Sequence, residues 1–110
     1  MELSVIVVSY NAGEALRSCL ASVLADMKSC ERESTIEVIV VDNNSPDPEV
    51  ENVKTEMEFV DWIDLPRNLG FSAGVNRGVA QSRGSVVLLL NPDCVVPLGF
   101  FETALDSFKR

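Results

Sequence analysis

The residues able to do chemistry in this chain gather in four short polar groups: Ser9-Tyr10-Asn11, Asp42-Asn43-Asn44, Arg67-Asn68 and Asn91-Pro92-Asp93. Asp42 closes the apolar run "IEVIVVD". Its carboxylate can accept a hydrogen bond from a ligand, and the imide N3–H of uracil or thymine is one suitable donor. "DNNSPD" is equally the composition of an Asx-turn or a helix cap. Asn91-Pro92-Asp93 interrupts "SVVLLLNPDCVVP". Pro92 biases Asn91 toward extended geometry, and in an extended stretch residues i and i+2 point to one side. Asn91 and Asp93 would then present two oxygens together. Such a pair suits a hard cation such as Mg²⁺, which often takes one or two protein carboxylates plus water and phosphate. Asn-Pro-Asp is also a common turn composition. Gly70, Gly74 and Gly78 recur four apart, along one stripe of a helix. Each interior glycine costs about 1 kcal/mol against alanine, so Gly74 and Gly78 point to close packing on a sheet. Gly70, ahead of the helix, suits an approach of backbone N–H groups to a phosphate.

Composition removes several other chemistries. There is no histidine, which excludes Ser-His-Asp and Cys-His catalysis and the usual zinc sites. Cys19, Cys30 and Cys94 are odd in number and lack CxxC spacing; they read as reduced thiols and core filler. A net charge of −8 argues against a nucleic-acid partner. A polyanionic ligand would need a metal ion or backbone N–H groups. The longest apolar runs, such as "VVLLL" at 86–90, are far below a membrane span. "MELSVIVVSYNAG" lacks the features of a signal peptide. The turn after the first strand, "SYNAGE", has one glycine, so the GxGxxG fingerprint is absent, as is a Walker A loop. A phospho-accepting domain would need an acidic pair that the residues after the first strand do not supply.

The polar groups are spaced by alternating strands and helices. "LSVIVVS" (3–9) and "IEVIVVD" (36–42) read as strands buried on both faces. Leu16, Cys19, Leu20, Val23, Leu24 and Met27 fall at helical spacing and predict a helix over 12–28, with Asn11 as N-cap and Glu14 as its capping-box partner. A short helix is expected within 49–58, an edge strand over 59–65, a helix over 71–82 with Gly84 as C-cap, a strand at "VVLLLN", and a further helix from "LGFF" onward. This α/β alternation predicts a mostly parallel sheet of order 3-2-1-4 with helices on both faces. In such sheets ligands bind beyond the carboxyl ends of the strands, where all four polar groups fall.

Four segments together, "SVIVVSYN" (4–11), "VIVVDNNSPD" (38–47), "NLGFSAGVNRGV" (68–79) and "VVLLLNPDCVV" (86–96), resemble the N-terminal half of a GT-A-fold glycosyltransferase of family 2, the inverting sugar transferases. The third and fourth are most similar to the rhamnosyltransferase-like branch. The resemblance covers nearly the whole chain and implies a Rossmann-like half of a GT-A fold, 1–110, binding a UDP- or dTDP-sugar. On it, Val8, Ser9, Tyr10 and Asn11 line the base and ribose, Asp42 bonds the pyrimidine imide with Asn44 beside it, and Asn68, Gly70 and Asn76 flank the nucleotide and its diphosphate. Asn91-Pro92-Asp93 stands in place of the family's Asp-x-Asp motif. Asp93 would hold a divalent metal, Mg²⁺ or Mn²⁺, with Asn91 replacing the first acidic ligand. The family's acceptor site and catalytic Asp or Glu lie in the half that follows, so no base is assigned. The resemblance therefore implies a truncated domain that holds donor and does not transfer sugar by itself. It further implies a cytoplasmic, non-spanning protein of cell-surface polysaccharide synthesis. The alternative is a non-catalytic nucleotide-binding or interaction module with the same half-fold. An open edge on the fourth strand, and the surface near Phe100 and Phe101, suggest a homo-oligomer.

Overall fold

The computed structural model describes residues 1–108. Its elements run β1 (Leu3–Ser9), α1 (Gly13–Ser29), β2 (Ile36–Asp42), α2 (Glu49–Glu56), β3 (Asp61–Asp64), α3 (Phe71–Gln81), β4 (Val86–Leu89) and α4 (Phe100–Ser107). All strand pairs are parallel and the order is β3-β2-β1-β4, as the alternation predicts.

The sheet sorts its side chains by the two-residue period of a strand. Leu3, Val5 and Val7 of β1 and Ile36, Val38 and Val40 of β2 face the larger core. There they meet Leu16, Cys19, Leu20 and Val23 of α1, Val53 of α2, and Phe101 and Leu105 of α4. Ile6, Ile39, Val41, Ile63 and Leu65 form a smaller cluster on the opposite face. Helix α3 covers that face through glycine. A Cβ on Gly74 would stand 2.6 Å from Val8 Cγ1, and one on Gly78 2.6 Å from Ile6 Cγ2. The close packing read from the glycine stripe is therefore present.

Several local expectations differ from the structure. Asn11 does not cap α1. The cap is Ala12, without a side-chain bond, while Asn11 takes a left-handed φ of 54°. Glu14 pairs instead with Arg17 at 2.6 Å, and Arg17 also reaches Glu49 and Glu56 on α2. An i,i+3 ion pair within α1 thus takes the carboxylate that a capping box would have used. Gly84 is not a helix cap either: α3 ends at Ser82. Its N–H donates to Ser4 Oγ at 2.7 Å, and a Cβ there would lie 2.5 Å from the Ser4 backbone nitrogen. Strand β3 is shorter than 59–65 because Val60 N–H turns back to Met57 C=O. Of the cysteines only Cys19 is core, and burial pushes its thiol up to about 11. Cys30 is half-buried and Cys94 exposed, and all three thiols are free.

Two buried carboxylates hold the frame. Asp26 on α1 accepts the N–H groups of Gly99 (2.7 Å) and Phe101 (2.9 Å), docking the start of α4. Phe101 is fully buried and Phe100 half-buried against the same core, so Phe101 itself offers nothing to the expected association surface. At the amino edge of the sheet, Glu37 accepts from the Ser4 hydroxyl, the Arg83 N–H (2.6 Å) and the Arg83 guanidinium (3.1 Å). Burial pushes its carboxyl up, but these three donors outweigh burial and hold it below the usual carboxylate value. Among the described residues no helix is long and apolar enough to cross a membrane.

Candidate functional site at the carboxyl edge of the sheet

The parallel register places Ser9 opposite Asp42, and Asp42 opposite Asp64. The strand ends thereby bring three of the four polar groups to one edge, and β4 delivers the fourth, since Leu90 N–H still pairs with Ile6 C=O before the chain turns at Asn91.

The loops above these strands are tied to one another. Asp42 is buried, and its carboxylate accepts the Ser45 hydroxyl and, at 3.2 Å, the Ser45 N–H. Ser45 Oγ in turn accepts the Asn11 N–H at 2.8 Å, joining the β1–α1 loop to the β2–α2 loop. Asp42 thus bonds backbone three residues on, and the Asx-turn of "DNNSPD" is at Asp47, whose Oδ1 accepts the Glu49 N–H at 2.9 Å. Asp42 nonetheless keeps acceptor capacity, because a carboxylate has about four lone-pair sites and, among the described residues, these two donors are in place. Asn11 and Asn44 both adopt left-handed backbone, with φ of 54° and 61°, a region that asparagine tolerates better than most residues. Ser9 is fully buried, and among the described residues its Oγ is the one buried side-chain polar atom without a hydrogen bond. A buried hydroxyl left unpaired costs free energy, so Ser9 marks a place where polar satisfaction is incomplete.

Asn43, singled out only as part of a polar group, proves to be the residue that fastens the third loop. It is 3 % exposed. Its Oδ1 accepts the Leu69 N–H at 3.1 Å and its Nδ2 donates to Gly70 C=O at 3.2 Å. Asn68 bends the same loop by accepting the Gly70 N–H at 2.9 Å. Gly70 takes a φ of 89° with open space around its Cβ position, consistent with a backbone that a ligand can approach. Tyr10 and Asn44 are exposed at the rim, whereas Asn76 lies on the solvent side of α3, two residues on from sheet-facing Gly74.

Asn91-Pro92-Asp93 is a turn. Asn91 C=O accepts the Cys94 N–H at 3.0 Å, and Asn91 Oδ1 accepts the Asp93 N–H at 3.3 Å. The extended arrangement with two oxygens side by side is not formed, because the Asn91 side chain closes the turn on itself. The Asp93 carboxylate is exposed. Among the described residues no group of three or more metal-ligating side chains comes together, so one carboxylate is what this segment offers a cation. A cleft of about 450 Å³ lies beside the turn, on the α3 face, lined by Ile6, Val8, Phe71, Val75, Leu89 and Asn91. It is mostly apolar and meets the polar edge at Val8, Asn91 and Pro92.

Comparison with known proteins bears on the family and the fold of this chain. Glycosyl transferase family 2 matches residues 4–110. An uncharacterized glycosyltransferase of Escherichia coli, YibD, is 30% identical over 94% of this chain and 29% of its own length. A dolichyl-phosphate beta-glucosyltransferase of Trichomonas vaginalis is 30% identical over 97% of this chain and 35% of its own. Crystal structures of Staphylococcus aureus TarS, one of them in complex with UDP-GlcNAc, superpose with a TM-score of 0.86 over 99% of this chain at 24% identity, and share its fold. The chain spans about a third of the length of these relatives. The family match takes in all four polar groups, and the chain belongs to glycosyl transferase family 2.

Proposed function

We propose that this chain supplies the donor-nucleotide half of an inverting sugar transferase, binding a UDP- or dTDP-sugar across the carboxyl edge of the sheet. The observation that carries this reading is the buried Asp42 carboxylate with acceptor capacity left over, beside the unpaired Ser9 hydroxyl. A pyrimidine imide N3–H is a donor of the right kind for Asp42. Asn11 and Asn44 lie in the loops beside Asp42 at the same edge, and a diphosphate at Gly70 would take the N–H that Asn68 now accepts. The TarS structures with UDP and UDP-GlcNAc support a uridine nucleotide by analogy of fold. A rhamnosyl donor, read from the third and fourth segments, is the narrower form of the proposal.

A divalent cation, Mg²⁺ or Mn²⁺, fits this edge in a limited way. Asp93 offers one exposed carboxylate, and hard cations commonly combine one carboxylate with diphosphate oxygens and water. Asn91 would have to release the Asp93 N–H to take part. Such a metal, when bound, acts as a Lewis acid toward the departing diphosphate. Transfer also needs a carboxylate to deprotonate the acceptor hydroxyl, and none is assigned here. The isolated 110-residue chain is accordingly expected to hold donor without transferring sugar. Free thiols fit a reducing, cytoplasmic setting. The open β4 edge, with Val87 and Leu89 exposed, is the proposed route to a homo-oligomer, read out by light scattering.

Calorimetric titration with UDP and dTDP, with and without Mn²⁺, tests the reading. Wild-type binding that Asp42→Ala weakens by tenfold or more supports it, and Asp93→Ala should remove only the metal-dependent part. Absence of binding by the wild type would favour an inert module with the same fold.

A further inference from the structure

We propose that Asn43 is a positioning residue: its buried amide grips Leu69 N–H and Gly70 C=O and so holds the 66–70 loop and the first turn of α3 over the ends of β1 and β2. This rests on the donor-site reading above and adds the residue that preforms one wall of it.

The argument starts with the loop. Pro66 through Gly70 are all exposed, so apolar burial does little to fix them. Among the described residues, the two bonds from Asn43 are the loop's hydrogen bonds to the sheet strands and their immediate extensions. The Asn68 turn is internal to the loop and sets its bend but not its place. Gly70, with φ of 89° and no neighbour around its Cβ position, is bonded besides to Asn68 of the loop and to Gly74 N–H of α3, neither of which ties it to the strand ends.

The side chain is shaped for the task. Asparagine carries one acceptor and two donors on a short stem. Here Oδ1 meets an N–H at 3.1 Å and Nδ2 meets a C=O at 3.2 Å, on adjacent residues of the loop. A Cβ on Gly74 would sit 3.4 Å from Asn43 Nδ2 and 2.6 Å from Val8 Cγ1. The small residue at 74 thus lets the helix come down onto the same peg. Asn43 itself points to the α3 face, whereas Asp42 points to the α1 face, so consecutive residues at one strand end divide the work. Asp42 faces the ligand edge, and Asn43 fixes the backbone that borders it. A loop ordered in advance spares a ligand the entropy of ordering it.

The test compares wild type, Asn43→Ala and Asn43→Asp by amide hydrogen exchange and by titration with UDP and dTDP. In Asn43→Ala the Leu69 amide is expected to exchange about tenfold faster or more, with the amides of β1 and β2 unchanged. UDP affinity should fall about tenfold, and saturating UDP should restore protection at Leu69, a signature that a purely structural role would not produce. Asn43→Asp keeps the acceptor for Leu69 N–H and loses the donor to Gly70 C=O. It should protect Leu69 and bind with intermediate affinity, and it carries the test if the alanine variant fails to fold. Variant affinities within twofold of wild type would overturn the proposal while leaving the donor reading standing. A wild type that binds neither nucleotide would overturn the donor reading, and the role of the clamp with it.

Discussion

The two edges of the sheet solve the problem of buried polar groups in opposite ways. At the amino edge, Glu37 is enclosed and its oxygens are taken up by Ser4 and Arg83, with Gly84 N–H closing the set on Ser4. At the carboxyl edge, Asp42 is just as buried but keeps acceptor capacity, Ser9 Oγ has no partner among the described residues, and two asparagines sit in left-handed backbone. A satisfied buried network contributes stability and specifies the fold. An incompletely satisfied one costs stability and has something left to offer a ligand. The chain therefore holds itself together at one end and keeps its unused hydrogen-bonding capacity at the other.

The largest effect should come from breaking the satisfied edge. Glu37→Ala leaves the Ser4 hydroxyl and the Arg83 N–H without their acceptor, and should cost about 2–3 kcal/mol in urea denaturation, with UDP affinity unchanged. The same carboxylate carries a pH signature. Its value is held below the ordinary 4.5, so its contribution is present above that value and is lost as pH falls through the folded one. Glu37→Gln should flatten that part of the acid unfolding profile.

A paired substitution on α3 sharpens the contrast. Gly74→Ala and Gly78→Ala meet the sheet at the same distance, against Val8 and Ile6 respectively. Each should lose about 1–2 kcal/mol, overpacking being only partly offset by better helix propensity. Only Gly74→Ala, which also crowds Asn43, should weaken nucleotide binding. Equal binding by the two variants would show that the site does not depend on how α3 is seated.

The smallest effect belongs to the unsatisfied edge. Ser9→Ala removes the unpaired hydroxyl and should leave the chain as stable as wild type or more stable by up to about 1 kcal/mol. Nucleotide affinity should fall in the same variant. A stable Ser9→Ala with unchanged affinity would mean that this hydroxyl serves neither role.

Strand order and the gathering of the polar groups at one sheet edge were legible because buried parallel strands are written as continuous apolar runs, and the polar residues that end them stand out. The glycine stripe was legible for a similar reason, since two interior glycines in a helix need compensation. Asn43 was not legible. In the sequence it is one of two adjacent asparagines, and its partners are backbone atoms of Leu69 and Gly70, which any residue would supply. Asp26 and Glu37 were hidden in the same way: each is a carboxylate within an otherwise apolar pattern, and its donors from other segments lie 33 to 75 positions away. The capping box at Asn11 was misread because Arg17, one turn along α1, takes Glu14, and Arg17 is itself held there by Glu49 and Glu56 of α2, out of reach of local pattern.

The sequence by itself determined the periodicities, and with them the parallel sheet, its order and the edge where polar residues gather. Tertiary structure decided which polar atoms are satisfied. At Asn91-Pro92-Asp93 it chose the turn over the side-by-side oxygens. At Ser9 it left a hydroxyl alone, and at Asn43 it made an unremarked amide into the peg for a loop. Burial is a property of a pattern along the chain, whereas hydrogen-bond satisfaction depends on partners that only folding brings within 3 Å.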